Sequence, residues 1–186
     1  TTDGGEILIG CLQDITGNTS ALGKSVQAGA QAAVDEINAN GGIKSMDGAQ
    51  IELVVGDTQT AADQAAVVTE RVITDSDVAM IIGVYNSTCS MSASEVAQKY
   101  SVPYISQGGV ATAITERGYD YVFRINNTAT YDVQEMIVGL DQVCKDYNLD
   151  TIKYALIYEN SDWGSDNARI WKEYADQRGW TCVLDE

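Results

Sequence analysis

Hydrophobic positions along this chain switch repeatedly between two periods. Ile7 to Leu12 (ILIGCL) is a nearly continuous apolar run, the pattern of a strand buried on both faces. Beyond the polar stretch Gln13 to Ser20, the residues Val26, Ala30, Ala33, Val34 and Ile37 recur at offsets of three and four. That spacing sets one apolar stripe on a helix, and Gly41-Gly42 marks its end. Ile51 to Val55 predicts a second strand, and Ala62, Ala65, Ala66, Thr69, Val72 and Ile73 a second helix. Val78 to Ile82 follows as a strand, then a helix on Ala93, Val96, Ala97 and Tyr100, with Ser87-Thr88 as capping candidates at its start. Val102 to Ile105 reads as a fourth strand. Pro103, which has no N–H to donate, fits only near its beginning. Tyr121 to Ile125 is a fifth extended segment.

The second part of the chain repeats the pattern. Val133, Met136, Ile137, Leu140, Val143, Cys144 and Tyr147 form the clearest amphipathic helix, Tyr154 to Tyr158 a strand, and Ala168, Trp171, Tyr174 and Ala175 a helix closed by Gly179. Thr181 to Leu184 begins one more strand. Regular strand–helix alternation predicts an α/β fold, a parallel sheet with helices on both faces. In such folds ligands bind outside the carboxyl ends of the strands, where the strand order reverses. Five loops fall there: Gln13 to Leu22, Asp57 to Thr60, Val84 to Thr88, Gln107 to Thr112 and Glu159 to Trp163. Several lead into helix N-termini, whose N–H groups and partial positive charge suit a carboxylate. The sheet begun at Tyr154 stops after two strands, and Leu184-Asp185-Glu186 follows with no covering helix. This reads as a piece of a longer protein; a compact domain ending on an edge strand is the alternative.

Composition narrows the chemistry. With 27 acidic and 11 basic residues the net charge is -16, which repels a phosphate backbone and serves solubility. No run of about 18 apolar residues is present to span a bilayer. No basic-then-apolar leader occurs, and Thr1 to Glu6 reads as the polar start of a processed chain. There is no histidine, which removes the commonest general base and with it Ser-His and Cys-His hydrolysis. Cys11, Cys89, Cys144 and Cys182 form no CxxC pair, so a zinc site is not expected; disulfides and buried free thiols both remain open. Cys89 enters a helix after a strand, but without a base it reads as structural or disulfide-bonded. No GxGxxG follows the first strand, no GxxxxGK[ST] occurs, and Ser106 lies in Tyr-Ile-Ser-Gln, not in a GxSxG elbow. Asp14, Asp57 and Asp162 fall in strand-end loops, where aspartates cap turns and helices more often than they hold metals. Tyr85 and Trp163 also sit in strand-end loops, off any apolar stripe, placed for a ligand wall or for packing between lobes. The triplets Asn18-Thr19-Ser20, Asn86-Ser87-Thr88 and Asn126-Asn127-Thr128 read as ordinary loop composition. No catalytic residue, metal or cofactor is expected.

Taken together, Ile7-Leu8-Ile9-Gly10, Asp14-Ile15-Thr16-Gly17, Leu22-Gly23 and the run Gly29 to Ile43 (GAQAAVDEINANGGI) strongly resemble the type I periplasmic solute-binding proteins of the leucine/isoleucine/valine-binding family. Val54 to Gln59, Ile81-Ile82-Gly83 with Ser87, Val102 to Ser106, and Ser161-Asp162-Trp163-Gly164 extend the resemblance over essentially the whole chain. It implies two Rossmann-like lobes around a ligand cleft. Residues 1–124 would form most of the N-terminal lobe. Residues 125–186 would hold the first crossover, near Arg124 to Asn127, and the beginning of the second lobe. It implies the extracytoplasmic binding component of an ABC importer, periplasmic or anchored as a lipoprotein. Its partners would be a small ligand, an amino acid or similar, and a membrane permease that reads hinge closure; no nucleic acid is involved.

The resemblance also implies site roles. Ser87 matches the serine whose hydroxyl and N–H hold a ligand carboxylate, and Gly108 a small residue whose carbonyl accepts from the ammonium. Val110 stands where amino-acid binders usually carry Thr, so the N–H is kept and the hydroxyl lost. Leu22 and Tyr85 match side-chain-pocket positions, and Trp163 the second-lobe aromatic. The departure at Val110 leaves an amide, a urea-like molecule or an aromatic acid as alternative ligands, and a receptor's sensing domain as an alternative role.

Overall fold

The computed structural model describes residues 4–186; Thr1, Thr2 and Asp3, part of the polar start, lie outside the described residues. The chain divides into two compact units, residues up to Gly109 together with Ala113–Asn126, and Val110–Thr112 together with Asn127–Glu186.

In the first unit the elements run β1 (Glu6–Gln13), α1 (Ser20–Ala39), β2 (Gln50–Asp57), α2 (Ala62–Ser76), β3 (Met80–Gly83), α3 (Ser87–Tyr100), β4 (Tyr104–Ser106), α4 (Ala113–Glu116) and β5 (Val122–Arg124). All five strands are parallel, in the order β2-β1-β3-β4-β5. The chain goes from β1 outward to β2, then crosses back over β1 to β3. The strand order therefore reverses between β1 and β3, and the loops after those two strands part there. The central apolar runs become strands because they are buried between layers: Leu12 of β1, Ile81 of β3 and Tyr104 of β4 are all fully buried. Pro103 immediately precedes β4, outside the strand's own residues, and its carbonyl accepts from Ile81 N at 2.8 Å.

Two expectations are corrected. Helix α3 is capped by Asn86, not by Ser87 or Thr88. Asn86 has the extended backbone a cap needs (φ -72, ψ 130) and accepts from Cys89 N at 3.1 Å, while Ser87 is already the first helical residue. On α1, only Val34 of the expected stripe is buried, and Ile37 remains 39% exposed. The helix lies mainly against β1 and β2, at one side of the sheet. There the Asn38 amide donates to Ile51 O (2.8 Å) and accepts from Ile51 N (2.9 Å), occupying the outer edge of β2 where a further strand would pair.

The second unit holds α5 (Ala129–Tyr147), β6 (Lys153–Leu156), α6 (Asp162–Asp176) and β7 (Thr181–Asp185), with β6 and β7 parallel. Its core is Ala129, Val133, Ile137, Tyr154, Ile170, Ala175 and Trp180, the inward stripes of both helices against one strand face. Each fully covered Ile or Val there contributes roughly 1.5–3 kcal/mol. Asn148 ends α5 in the left-handed conformation (φ 52), and the Ser161 hydroxyl starts α6 by accepting from Gly164 N at 3.1 Å. No helix of the described residues is long and apolar enough to cross a membrane.

Candidate functional site

The carboxyl ends of β1, β2 and β3 are tied together by two aspartates. Asp14, just past β1, is fully buried. One of its oxygens accepts from the Thr58 hydroxyl, and the other from Thr19 Oγ1 (2.9 Å) and Asn86 N (3.2 Å). One side chain thus joins the loop after β1, the loop after β2 and the turn into α3. Asp57 Oδ1 accepts from Ile15 N (3.0 Å), Thr16 N (3.1 Å) and Gln59 N (2.9 Å), and Oδ2 from the Thr16 hydroxyl (2.7 Å). Burial acts to raise the Asp57 pKa. The hydrogen bonds from the Thr16 hydroxyl and the backbone N–H groups outweigh it and hold the carboxyl below its ordinary range. Both aspartates act as turn staples, the capping role expected of them. The third, Asp162, is the first residue of α6.

Tyr85 and Asn86 form the turn from β3 to α3, and Ser87 opens the helix, 5% exposed. The helix N-terminus gives this spot a partial positive charge. Gly108 lies against the same turn. A Cβ on Gly108 would come 2.9 Å from Tyr85 Cα and 3.2 Å from its ring, so only glycine lets the loop after β4 approach so closely. Gly109 pins that loop, its N–H donating to Val84 O (3.2 Å) and its carbonyl accepting from Asn126 Nδ2 (3.1 Å) and Arg124 (3.3 Å). Leu22 lies in the first turn of α1, 48% exposed. It precedes Gly23, whose added Cβ would stand 2.3 Å from Asp14 O. Ser87, Tyr85 and Gly108 are therefore neighbours, and Leu22 is joined to them through Asp14.

The structure puts Val110 and Trp163 in the second unit. Val110 O accepts from Ala129 N at 2.8 Å. Thr112 N donates to Asp166 Oδ2 at 2.8 Å, so a strap continuous with the β4 loop is fastened to α5 and α6. Trp163 is in the first turn of α6, 45% exposed. It borders a concavity of about 340 Å³ with Met136, Tyr158, Glu159 and Trp171. The ties of Asp14 to Thr58 and Asn86 N, and of Asp166 to Thr112 N, are not legible in the sequence: each joins residues far apart in the chain, from a residue type common in any loop.

No two of the four cysteines are bridged to each other, and the buried-thiol reading holds for Cys11 and Cys89. Burial pushes the Cys11 thiol up to about 11, with the Gln13 amide opposing. Burial, then the Asp14 charge, pushes Cys89 up to about 12. Cys182 is exposed and Cys144 half-buried. At pH 8 only about one Cys11 thiol in a thousand is ionised. A thiol reagent applied to the native protein is therefore expected to modify Cys182 first and to reach Cys11 and Cys89 only after denaturation. Rapid modification of Cys89 in the folded state would contradict the burial described. Among the described residues no three His, Cys, Asp or Glu side chains group as a metal site would require.

A parallel sheet with its order reversing at β1 and helices on both faces defines an α/β fold of the type I binding-protein class. A family model described as periplasmic binding protein matches residues 6–186, and the chain belongs to that family. It is 35% identical over 187 residues to a Leu/Ile/Val-binding protein homolog of Brucella abortus, covering 96% of this chain and 44% of that protein. Among solved structures it is similar to the branched-chain amino acid transporter substrate-binding protein of Streptococcus pneumoniae in complex with isoleucine, with 32% identity and a TM-score of 0.80. That match covers 97% of this chain and 49% of that one. A solute-binding protein of an ABC transporter from Rhodopseudomonas palustris, in complex with 3,4-dihydroxybenzoic acid, shares the fold at a TM-score of 0.78 and 19% identity, over 97% of this chain and 46% of its own. The chain thus spans about half the length of the relatives it matches.

Proposed function

We propose that this chain is part of an extracytoplasmic solute-binding protein that captures a small polar ligand, an amino acid, and delivers it unchanged to the permease of an ABC importer. The observation that carries the reading is the convergence of Ser87, Tyr85 and Gly108 at the switch point of the sheet. The turn that presents them is held by a fully buried aspartate. A ligand carboxylate placed at the N-terminus of α3 would receive the Ser87 hydroxyl and the helix's partial charge. The Gly108 carbonyl would take an ammonium, and Tyr85 and Leu22 would supply apolar wall. The resemblance assigns the Val110 N–H and the Trp163 indole to the same ligand. No nucleophile–base pair is part of this arrangement, so binding without turnover is the expected activity.

Calorimetry on the intact protein with aliphatic, aromatic and amide amino acids tests this. One of them is expected to bind, and Ser87→Ala to weaken it by about 10–100-fold, the loss of one hydrogen bond to a charged group. The melting temperature should stay the same. If no member of the panel binds, the amino-acid reading fails. A second reading rests on Val110: a ligand without an ammonium, such as an amide or aromatic acid, has less need of the missing hydroxyl.

A further inference from the structure

Two glutamines at the carboxyl end of the sheet are incompletely paired. Gln13 is the last residue of β1 and fully buried; Gln107 follows β4. They are 94 residues apart in sequence, yet Gln107 Nε2 donates to Gln13 Oε1 at 3.2 Å, across the end of β3. That one bond leaves Gln13 Nε2 and Gln107 Oε1 shielded from solvent and without a hydrogen-bond partner. The Gln13 amide also faces the Cys11 thiol, which is only a weak acceptor. Native folds rarely leave buried amide groups unsatisfied, because each carries a desolvation cost. Two such atoms on a hydrogen-bonded pair of side chains therefore call for a partner. Turning both amides over exchanges their roles but still leaves one donor and one acceptor.

Each glutamine adjoins the candidate site along the chain. Gln13 precedes Asp14, which holds Asn86 N, and Gln107 precedes Gly108, which packs on Tyr85. We infer that Gln13 and Gln107 form a specificity-determining pair that reads a neutral group able to accept one hydrogen bond and donate another, namely a carboxamide on the ligand. A carboxylate would leave the acceptor unpaired, and a hydrocarbon chain would leave both atoms unpaired. The inference rests on the ligand-binding reading given above and names the ligand's class within it.

The test is calorimetric titration of the intact protein with L-glutamine, L-asparagine and acetamide against L-leucine, repeated on Gln107→Leu and Gln13→Leu. At least one carboxamide probe is expected to bind the natural protein about tenfold or more tighter than L-leucine, as sites built to pair a polar group reject analogues lacking it. Either substitution should bring that ratio to within about twofold. A preference for L-leucine in the natural protein overturns the inference alone. A carboxamide preference that survives both substitutions also overturns it, and a rise in melting temperature would then mark the pair as a purely structural defect. No binding by any probe overturns the inference together with the reading beneath it. Gln107 is only half-buried, so Gln107→Leu carries the test if Gln13→Leu does not fold.

Discussion

Asp14→Ala is expected to unfold the first unit at a markedly lower temperature and to abolish ligand capture. The carboxylate is fully buried and accepts from the Thr58 hydroxyl, the Thr19 hydroxyl and Asn86 N. Alanine leaves the Thr58 hydroxyl and Asn86 N facing a small void, while the Thr19 hydroxyl keeps Thr60 Oγ1 at 3.0 Å. Each stranded buried donor costs about 1–3 kcal/mol, less what an entering water recovers, so a net loss of about 3 kcal/mol is reasonable. For a chain of this size that lowers the melting temperature by about 6–12 °C. Binding suffers separately, because Asn86 and with it Ser87 lose the tie that fixes the start of α3. Asp14→Asn keeps one acceptor oxygen and should cost about half as much. Thermal melts followed by circular dichroism check both variants. An Asp14→Ala protein that melts with the natural one would show that the three segments are held by something else.

Gly23→Ala should be nearly as damaging, although alanine is the better helix former. Propensity alone favours the substitution by about 1 kcal/mol in a helix interior. Against that stands contact. The new Cβ would lie 2.3 Å from Asp14 O, 2.7 Å from Asp14 C and 2.9 Å from Asp14 N, and backbone cannot move aside as a flexible side chain can. Relief requires α1 to shift off the loop after β1, disturbing the Asp14 network. Overpacking of this kind costs about 1–3 kcal/mol in ordinary cores, and the backbone contact here places the net effect at or above the upper part of that range. Gly29→Ala on the same helix is the control, since nothing lies within 4 Å of its added Cβ. It should be neutral or slightly stabilising. Equal melting of the Gly23 and Gly29 variants would remove the steric account.

Much of the architecture was readable from periodicity. Runs such as Ile7 to Leu12 and Ile51 to Val55 become β1 and β2: Cys11 and Leu12 near the end of the interior β1 are fully buried, while the edge strand β2 keeps Glu52 and Val55 exposed. The loops expected to carry the ligand follow from the same reading, since in parallel sheets the connections of one end are all topologically alike. What periodicity does not contain is the choice among equivalent polar residues. Asn86, Ser87 and Thr88 all make good caps, and only the backbone angles select Asn86. The stripe on α1 announces a buried face, but it does not say how much of that face its own neighbours cover; Ile37 stays largely open. Four scattered cysteines were compatible with bridges or free thiols, because pairing depends on distances set by the whole fold. The Gln13–Gln107 contact was illegible for the same reason. Val110 departs from the threonine that the family resemblance implies, and the structure adds that its carbonyl accepts from Ala129 N.

The most direct test of the central claim is a ligand-bound crystal structure of the intact protein. The account predicts density for a small polar molecule whose carboxylate, or equivalent acceptor, lies within hydrogen-bonding distance of Ser87 at the N-terminus of α3, with Tyr85 and Gly108 in contact. A ligand seated elsewhere on the protein, with no contact to Ser87, would contradict it.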